Sequence, residues 1–141
     1  MGLWYWGQGR LGPYSIVWYD LLSHDRSESV SGYVAKDGEI ISVNCSGVKV
    51  RPIGANSTYP PAMGTGPPSG FHIEIDMGTN GIMEIDADSS HLVVSVKGVY
   101  FRWTGTLKGG IKGQPSLTGT AMWEEFLLLP PAQGHGDKRV K

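Results

Sequence analysis

The stretch WYWGQGRLGPYSIVWYDLL, residues 4–22, decides how the chain is interpreted. Residues 7–12 match G-x-G-x-x-G, the glycine pattern of dinucleotide-binding loops. Such a loop must open a helix, because the helix N-terminus holds the pyrophosphate. Here Pro13 is followed by a β-branched and aromatic run, and no acidic residue is convincingly placed about 20 positions further on. The stretch therefore predicts a glycine-rich approach to a β-strand, without a nucleotide cofactor.

Alternation of apolar and polar residues with period two runs along the chain and indicates β-strands. In FHIEIDM, residues 71–77, apolar side chains share one face and polar side chains the other. Asp37-Gly38 and Asn80-Gly81 are turn signals between such runs. The pattern predicts about eight strands with short connections and little or no helix. This is an all-β fold, an up-and-down antiparallel β-barrel.

The chain length of 141 residues suits one domain with a hydrophobic core. Residues 54–70 are rich in proline and glycine and predict a surface loop or lid. Beyond Pro130 the sequence is polar. We therefore expect a single domain over residues 1–130 and a disordered tail over residues 131–141.

Composition excludes several classes of partner. The net charge is −1 and charged residues make up 18% of the chain, so no strong field attracts nucleic acid or an anionic membrane surface. No apolar run has the length of a membrane span. The single cysteine, Cys45, excludes an internal disulfide and favours a reducing, cytoplasmic location.

The sequence contains no motif for a metal, a cofactor or an activated nucleophile. The histidines have no metal-ligand spacing on a shared element, and neither C-x-x-C nor G-x-S-x-G occurs. Cys45 could act as a nucleophile only beside a base, and a small core residue is the favoured interpretation.

Carboxylates recur two residues apart and so share one face of a strand. Because they alternate with apolar residues, we interpret them as the solvated outside of the barrel. These pairs are Glu74 with Asp76, Glu84 with Asp86, and Asp86 with Asp88. Glu124 and Glu125 differ, because they are adjacent in an apolar strand. One of the two must point inward, where it needs a partner.

Large aromatic side chains are concentrated in the predicted strands. They fit either ordinary core packing or a pocket for a flat or long apolar ligand, and the sequence leaves both interpretations open. The residues concerned are Trp4, Tyr5, Trp6, Tyr14, Trp18, Tyr19, Tyr100, Trp103 and Trp123.

Three stretches carry a resemblance to a known family. They are GRLGPYSIVWYD at residues 9–20, the Asp37-Gly38 hairpin leading into ISVNC, and LTGTAMWEEF at residues 117–126. Together they resemble the C-terminal domain of the fungal Diels–Alderases, over about residues 4–130. Members of that family have two lipocalin-like β-domains, and this chain resembles one of them.

The resemblance implies a lipocalin-like barrel and a cofactor-free enzyme. The implied reaction is an intramolecular [4+2] cycloaddition of a polyketide-derived polyene in fungal secondary metabolism. The substrate would be a small apolar polyene of the tetramic acid type. The missing second domain implies a homodimer or a separate N-terminal-domain partner.

By position in the family-like stretches, the resemblance also implies site residues. Tyr14 would be the catalytic hydrogen-bond donor and part of the pocket wall. Substrate-binding residues would be Trp6, Trp18, Cys45 and Trp123. A lysine could donate to a substrate carbonyl, and Lys108, Lys112 and Lys138 are not distinguished by sequence.

Two alternatives remain. The chain could be a non-catalytic lipocalin-like domain that carries an apolar metabolite or acts as a partner half. It could also be another lyase or isomerase on the same barrel, with Glu124 or Glu125 as proton shuttle.

Overall fold

A computed structural model of the chain describes residues 2–128, which form one curled antiparallel sheet of ten strands. A single 3-10 turn, Gly78–Asn80, is the helical element of this described part. In chain order the strands are β1 (Gly2–Leu11), β2 (Tyr14–Leu22), β3 (Glu28–Lys36), β4 (Glu39–Asn44), β5 (Val48–Ile53), β6 (Gly70–Asp76), β7 (Ile82–Asp88), β8 (Leu92–Val96), β9 (Tyr100–Ile111) and β10 (Leu117–Leu128). The all-β prediction is confirmed.

The strand order across the sheet is β4-β3-β2-β1-β10-β9-β7-β6-β5, and β8 pairs with residues 100–103 of β9, beyond the end of β7. The sheet curls until β5 approaches β2 and β3. The Asp20 side chain connects β2 to β5: its carboxylate accepts a hydrogen bond from the Val50 N–H at 2.9 Å. The architecture is therefore a half-barrel with a seam at β5.

Ten strands are present where about eight were expected, because two stretches that read as single strands are interrupted. Residues 39–53 break at Gly47, with φ 69°, and residues 91–107 break at Lys97 and Gly98, with φ 44° and 69°. A φ of this size turns the chain out of the extended conformation and so ends the strand. The predicted turn at Asp37-Gly38 is confirmed, with φ 50° and 83°.

The glycine motif of residues 7–12 runs along β1 and ends in the β1–β2 hairpin. Gly7 lies opposite Trp18 on one side and Trp123 on the other. A Cβ atom at Gly7 would overlap the Trp18 ring and the Trp123 side chain. The glycine is needed for indole packing, and no helix follows it.

The inner face of the sheet forms the core. Its largest fully buried side chains include Trp18, Trp103 and Trp123, and the Trp103 and Trp123 rings stack with centroids 6.3 Å apart. Within the described residues, no helix is long and apolar enough to cross a membrane. Residues 131–141, predicted to be disordered, lie outside the described part, and the single-domain boundary at residue 130 stays a prediction.

Candidate functional site

Three polar side chains form a row across the inner face of neighbouring strands. Tyr5 of β1 lies directly opposite Asp20 of β2 and directly opposite Glu125 of β10. Directly opposed residues of an antiparallel pair have Cβ atoms about 5 Å apart. Asp20, Tyr5 and Glu125 are therefore side by side inside the half-barrel. We call these three residues the polar row.

A second row, made of three indole rings and one glycine, lies on the same inner face. In β2, β1 and β10 it is two residues from the polar row. Trp18, Gly7, Trp123 and Trp103 face one another across β2, β1, β10 and β9. Because the inward side chains of a strand recur every second residue, this aromatic row borders the polar row directly. The site is a set of ionisable groups against an apolar wall.

Glu125 is the buried member of the adjacent glutamate pair, with 2% of its surface exposed. Burial raises its pKa to about 7, and the nearby Tyr5 hydroxyl offsets only part of that shift. Glu124 faces outward, where it accepts from the Tyr100 hydroxyl at 2.7 Å and from Arg102 Nε at 2.9 Å. The expectation that one of the two points inward is confirmed.

Asp20 is fully buried and connects the polar row to the seam. Its Oδ2 accepts from Val50 N–H at 2.9 Å and from Arg51 at 3.1 Å. Its pKa is raised, first by burial and then by the neighbouring Glu28 carboxylate. Its second oxygen, Oδ1, has no hydrogen-bond partner among the described residues.

Tyr5 occupies the centre of the row with 1% of its surface exposed. Burial, and then the charge of Glu125, raise the pKa of this phenol far above its ordinary value, so Tyr5 stays protonated. Its hydroxyl is buried, and within residues 2–128 it makes no hydrogen bond. The Tyr5 hydroxyl is therefore a hydrogen-bond donor that lies between the carboxyl groups of Asp20 and Glu125.

Tyr59 reaches the row from the β5–β6 loop. Its ring lies 6.3 Å from the Tyr5 ring, between centroids. The Arg51 guanidinium stacks 3.8 Å from the Tyr59 ring centroid. Arg51 in turn pairs with Asp20 and with Glu28, each at 3.1 Å. The segment predicted as a surface loop or lid thus places one aromatic side chain against the polar row.

The arrangement suits proton transfer near neutral pH. A carboxyl group with a pKa near the working pH is both a competent acid and, after donation, a competent base. Glu125 meets this condition, and Asp20 is shifted in the same direction. The aromatic row next to them limits access of water.

Two of the residues that the resemblance implied, Trp18 and Trp123, lie in the aromatic row beside the polar row. Tyr14 is buried at the far end of β2, where Lys36 approaches its ring at 5.8 Å. Ile16 and Trp18 occupy the inward positions between Tyr14 and Asp20, so Tyr14 is not part of the polar row.

The structure places two other implied residues outside the half-barrel. Trp6 is half-buried on the outer face, opposite Tyr19 and Glu124, because inward positions of β1 are the odd-numbered ones. Cys45 is exposed in the turn between β4 and β5. Neither lines the interior, and the favoured interpretation of Cys45 as a core residue is wrong.

The candidate lysines are also outside the half-barrel. Lys108 lines a groove of about 460 Å³ on the outer face with Asp86 and Asp88. Lys112 is exposed and lies 3.9 Å from Glu84. Lys138 lies outside the described residues.

The outer face of β6 and β7 carries the alternating carboxylates, as predicted. It also brings together His72, Glu74 and Glu84, whose candidate ligand atoms lie within 4.8 Å of one another. Spacing on one element did not reveal this set, because Glu84 comes from the neighbouring strand. His72 Nδ1 is 2.6 Å from the carboxylate of Asp86.

Sequence reasoning missed Asp20 and Tyr59 as site residues, and it named Tyr5 only as one of the aromatic residues of the core or of a pocket. Asp20 had a signal, since it occupies an inward position of the strand Tyr14–Leu22, whose other inward side chains are apolar. A carboxylate at such a position needs a partner. Tyr59 gave no signal, because loops have no periodicity.

Two fungal proteins are similar to the chain in sequence. It is 35% identical over 131 residues to the quinolone epoxide rearrangement protein asqO of Emericella nidulans. It is 31% identical over 134 residues to the quinolone epoxide rearrangement protein penF of Penicillium thymicola. Each match covers 87% of this chain and 34% of the relative, so the chain spans about one third of these proteins. No family model matches.

Among solved structures, the fold is similar to that of CghA, a Diels–Alderase. The crystal structure of CghA with Sch210972 superposes with a TM-score of 0.64 at 16% identity, over 89% of this chain and 40% of that one. CghA alone gives a TM-score of 0.65 over the same shares. The resemblance to the fungal Diels–Alderases that the sequence indicated is thus confirmed, and so is the fold it implied.

Proposed function

From this relationship we propose that the chain isomerises a small apolar secondary metabolite by acid catalysis, with an epoxide as the reacting group. The observation that carries the proposal is Glu125, a buried carboxyl group with a pKa of about 7 beside the Tyr5 hydroxyl. The two similar proteins asqO and penF, which are quinolone epoxide rearrangement proteins, support this reaction class. The third interpretation drawn from the sequence, an isomerase with a glutamate proton shuttle, is therefore preferred.

The proposed reaction needs no cofactor and conserves all atoms. Protonated Glu125 gives its proton to the epoxide oxygen, and one C–O bond breaks to leave a carbocation and a hydroxyl group. A substituent then migrates with its bonding pair from the hydroxyl-bearing carbon to the cation. The hydroxyl proton returns to the Glu125 carboxylate as the carbonyl forms. A positioned general acid accelerates such a step by about 10²- to 10⁴-fold.

The aromatic row suits the charge that develops. A carbocation is attracted to the face of an indole ring, and the attraction grows where water is excluded. Trp18 and Trp123 lie on the same inner face as the polar row, two residues from Asp20 and Glu125. These rings would shield the cation from water and so favour migration over hydrolysis.

The test is rearrangement of styrene oxide, a simple aryl epoxide, to phenylacetaldehyde. We expect turnover above background with the 141-residue chain, and a loss of about 10²-fold or more with Glu125→Gln. Glu124→Gln is the matched control, because Glu124 is the next residue but faces outward. Equal activity of the two variants, or no turnover by the unaltered chain, would contradict acid catalysis by Glu125.

A [4+2] cycloaddition of a polyketide-derived polyene is the second candidate. The fold similarity to CghA favours it, and the apolar aromatic row could hold a folded polyene. A hydrogen bond from Tyr5 to the carbonyl conjugated with the dienophile would replace the role first assigned to Tyr14. Cyclisation of a polyenoyl tetramic acid that survives Glu125→Gln but falls with Tyr5→Phe would favour this reaction.

The third possibility is binding without catalysis. Saturable quenching of tryptophan fluorescence by either substrate, with no turnover of either, would identify a binding domain. The homodimer or separate N-terminal-domain partner implied by the sequence stays a prediction. Sedimentation of the purified chain over a range of concentrations tests self-association.

A further inference from the structure

We propose that Tyr59 and Tyr5 together form a two-donor site that holds one oxygen atom of the substrate. The ligand class is a neutral aromatic compound with a strong oxygen acceptor, such as a lactam carbonyl or an epoxide. The inference rests on the proposed function only for the identity of the reacting oxygen. The binding site itself is argued from the side chains.

Both phenol hydroxyls are buried, and neither finds a hydrogen-bond partner within the part of the chain that the structure describes. Buried hydroxyl groups in proteins are almost always hydrogen-bonded, so each such exception needs an explanation. Seven buried side-chain polar atoms of the described residues lack a partner. Tyr5 and Tyr59 are the two phenols among them, and with ring centroids 6.3 Å apart they suit one shared acceptor that binds from outside the protein.

The surroundings fix both hydroxyls as donors. Burial raises the pKa of each phenol, and the carboxylates of Asp20 and Glu125 act on Tyr5 in the same direction. A neutral phenol donates readily to a neutral oxygen. An anionic ligand would instead be repelled by Asp20 and Glu125 as these groups ionise.

Two successive contacts, which begin at Asp20 of β2 and cross the seam to β5, set the position of Tyr59. Arg51 pairs with the buried Asp20, and its guanidinium supports the Tyr59 ring from 3.8 Å. Tyr59 is therefore held by charged groups of the barrel although it belongs to a loop. Its hydroxyl is placed by the same residues that surround Tyr5.

The loop that carries Tyr59 is tied at its base. Ser69 N–H donates to Ala55 O at 3.1 Å, and Ala55 N–H donates to the Ser69 hydroxyl at 3.0 Å. Further out, Asn56 donates to Pro67 O at 3.0 Å. These bonds join the two arms of the loop to each other and so fix the base of the segment that carries Tyr59.

The experiment is titration of the 141-residue chain with 2-quinolone, followed by tryptophan fluorescence. The probe has a lactam oxygen but no epoxide, so it measures binding without reaction. We expect saturable quenching that weakens about 5- to 10-fold with Tyr5→Phe and with Tyr59→Phe, as for loss of one hydrogen bond. The hydrocarbon 1,2-dihydronaphthalene, which lacks the acceptor, should bind the unaltered chain and both variants equally.

Tyr100→Phe is the matched control, because its hydroxyl donates to Glu124 on the outer face. Near-ultraviolet circular dichroism confirms that each variant is folded. Unchanged affinity in Tyr59→Phe, an equal loss in Tyr100→Phe, or no saturable binding by the unaltered chain would overturn the two-donor site. Tyrosine-dependent binding without epoxide turnover would leave this site standing and refute only the proposed acid catalysis.

Discussion

Tyr5 and Glu125 are direct register partners on the inner face of β1 and β10, and each is almost fully buried. Asp20 faces Tyr5 from the other side. A domain of this size thus keeps two carboxyl groups and a phenol in its interior. Since burial of an ionised carboxylate is costly, the row carries measurable consequences for stability as well as for chemistry.

Glu125 makes stability fall as the pH rises. A glutamate side chain has an ordinary pKa of 4.5, which applies to the unfolded chain, and the pKa of Glu125 is about 7 in the folded protein. The folded state therefore binds the proton more tightly than the unfolded state does. The stabilisation is complete below pH 4.5 and is lost as the pH rises through about 7, by about 3 kcal/mol. Urea denaturation between pH 4 and pH 8 measures it.

The difference between the unaltered chain and Glu125→Gln isolates this contribution, because other titrating groups are common to both. We expect the free energy of unfolding of Glu125→Gln to exceed that of the parent at pH 8 and to approach it at pH 4. Glu124→Gln should not show this pH dependence. A parent and a Glu125→Gln variant with parallel pH profiles would refute the buried-acid assignment.

Asp20 holds the seam of the half-barrel. Asp20→Ala removes the acceptor of Val50 N–H and leaves Arg51 beside Glu28 alone. Loss of the acceptor of a buried N–H costs about 1 to 3 kcal/mol, and we expect a loss of this size in urea denaturation. Hydrogen exchange of the Val50 amide should accelerate more than that of amides in the middle of β1.

Asp20→Asn is the informative second variant, because it retains an acceptor for Val50 N–H while losing the charge. It should lose less stability than Asp20→Ala. The exposed Glu39, on the edge strand β4, provides a control in Glu39→Ala, for which we expect almost no change. A seam that survives Asp20→Ala would have to be held by contacts other than this carboxylate.

Gly7→Ala tests the packing explanation of the glycine motif. The added methyl group would overlap the Trp18 ring and the Trp123 side chain. Overpacking of this kind costs about 1 to 3 kcal/mol, and we expect a lowered urea midpoint with a changed tryptophan emission. Gly66→Ala, in the β5–β6 loop, is the control. Retained stability in Gly7→Ala would mean that the indoles can shift freely.

Adjacent residues of a strand point to opposite faces, and this parity argument correctly placed one of the two adjacent glutamates inside. Much of this site could have been predicted by extending it to the other strands. In β1, Gln8 and Arg10 share a face with Trp6, so their polarity already assigns Trp6 to the outside. In β2, Asp20 shares a face with Trp18 and needed a partner. What parity cannot supply is register between strands, and register is what brings Tyr5 between Asp20 and Glu125.

Other features depended on three-dimensional arrangement alone. The seam forms because the sheet curls. Nothing in the local sequence indicates that Asp20, the partner of Val50 and Arg51, is 30 and 31 residues away from them. Tyr59 lies in a loop whose composition predicts only irregular structure. Cys45 follows a strand in sequence, but the turn that ends β4 places it in solvent.

The pH dependence of rearrangement gives the sharpest test of the proposed chemistry. If protonated Glu125 is the acid, kcat/KM for styrene oxide should be constant below its pKa and fall tenfold per pH unit above about 7. The uncatalysed acid reaction is subtracted at each pH. Glu125→Asp should retain a declining limb at low activity, whereas Glu125→Gln should lose it. A parent profile that is flat from pH 5.5 to 8.5 would exclude a proton donor with this pKa and favour the cycloaddition, which transfers no proton.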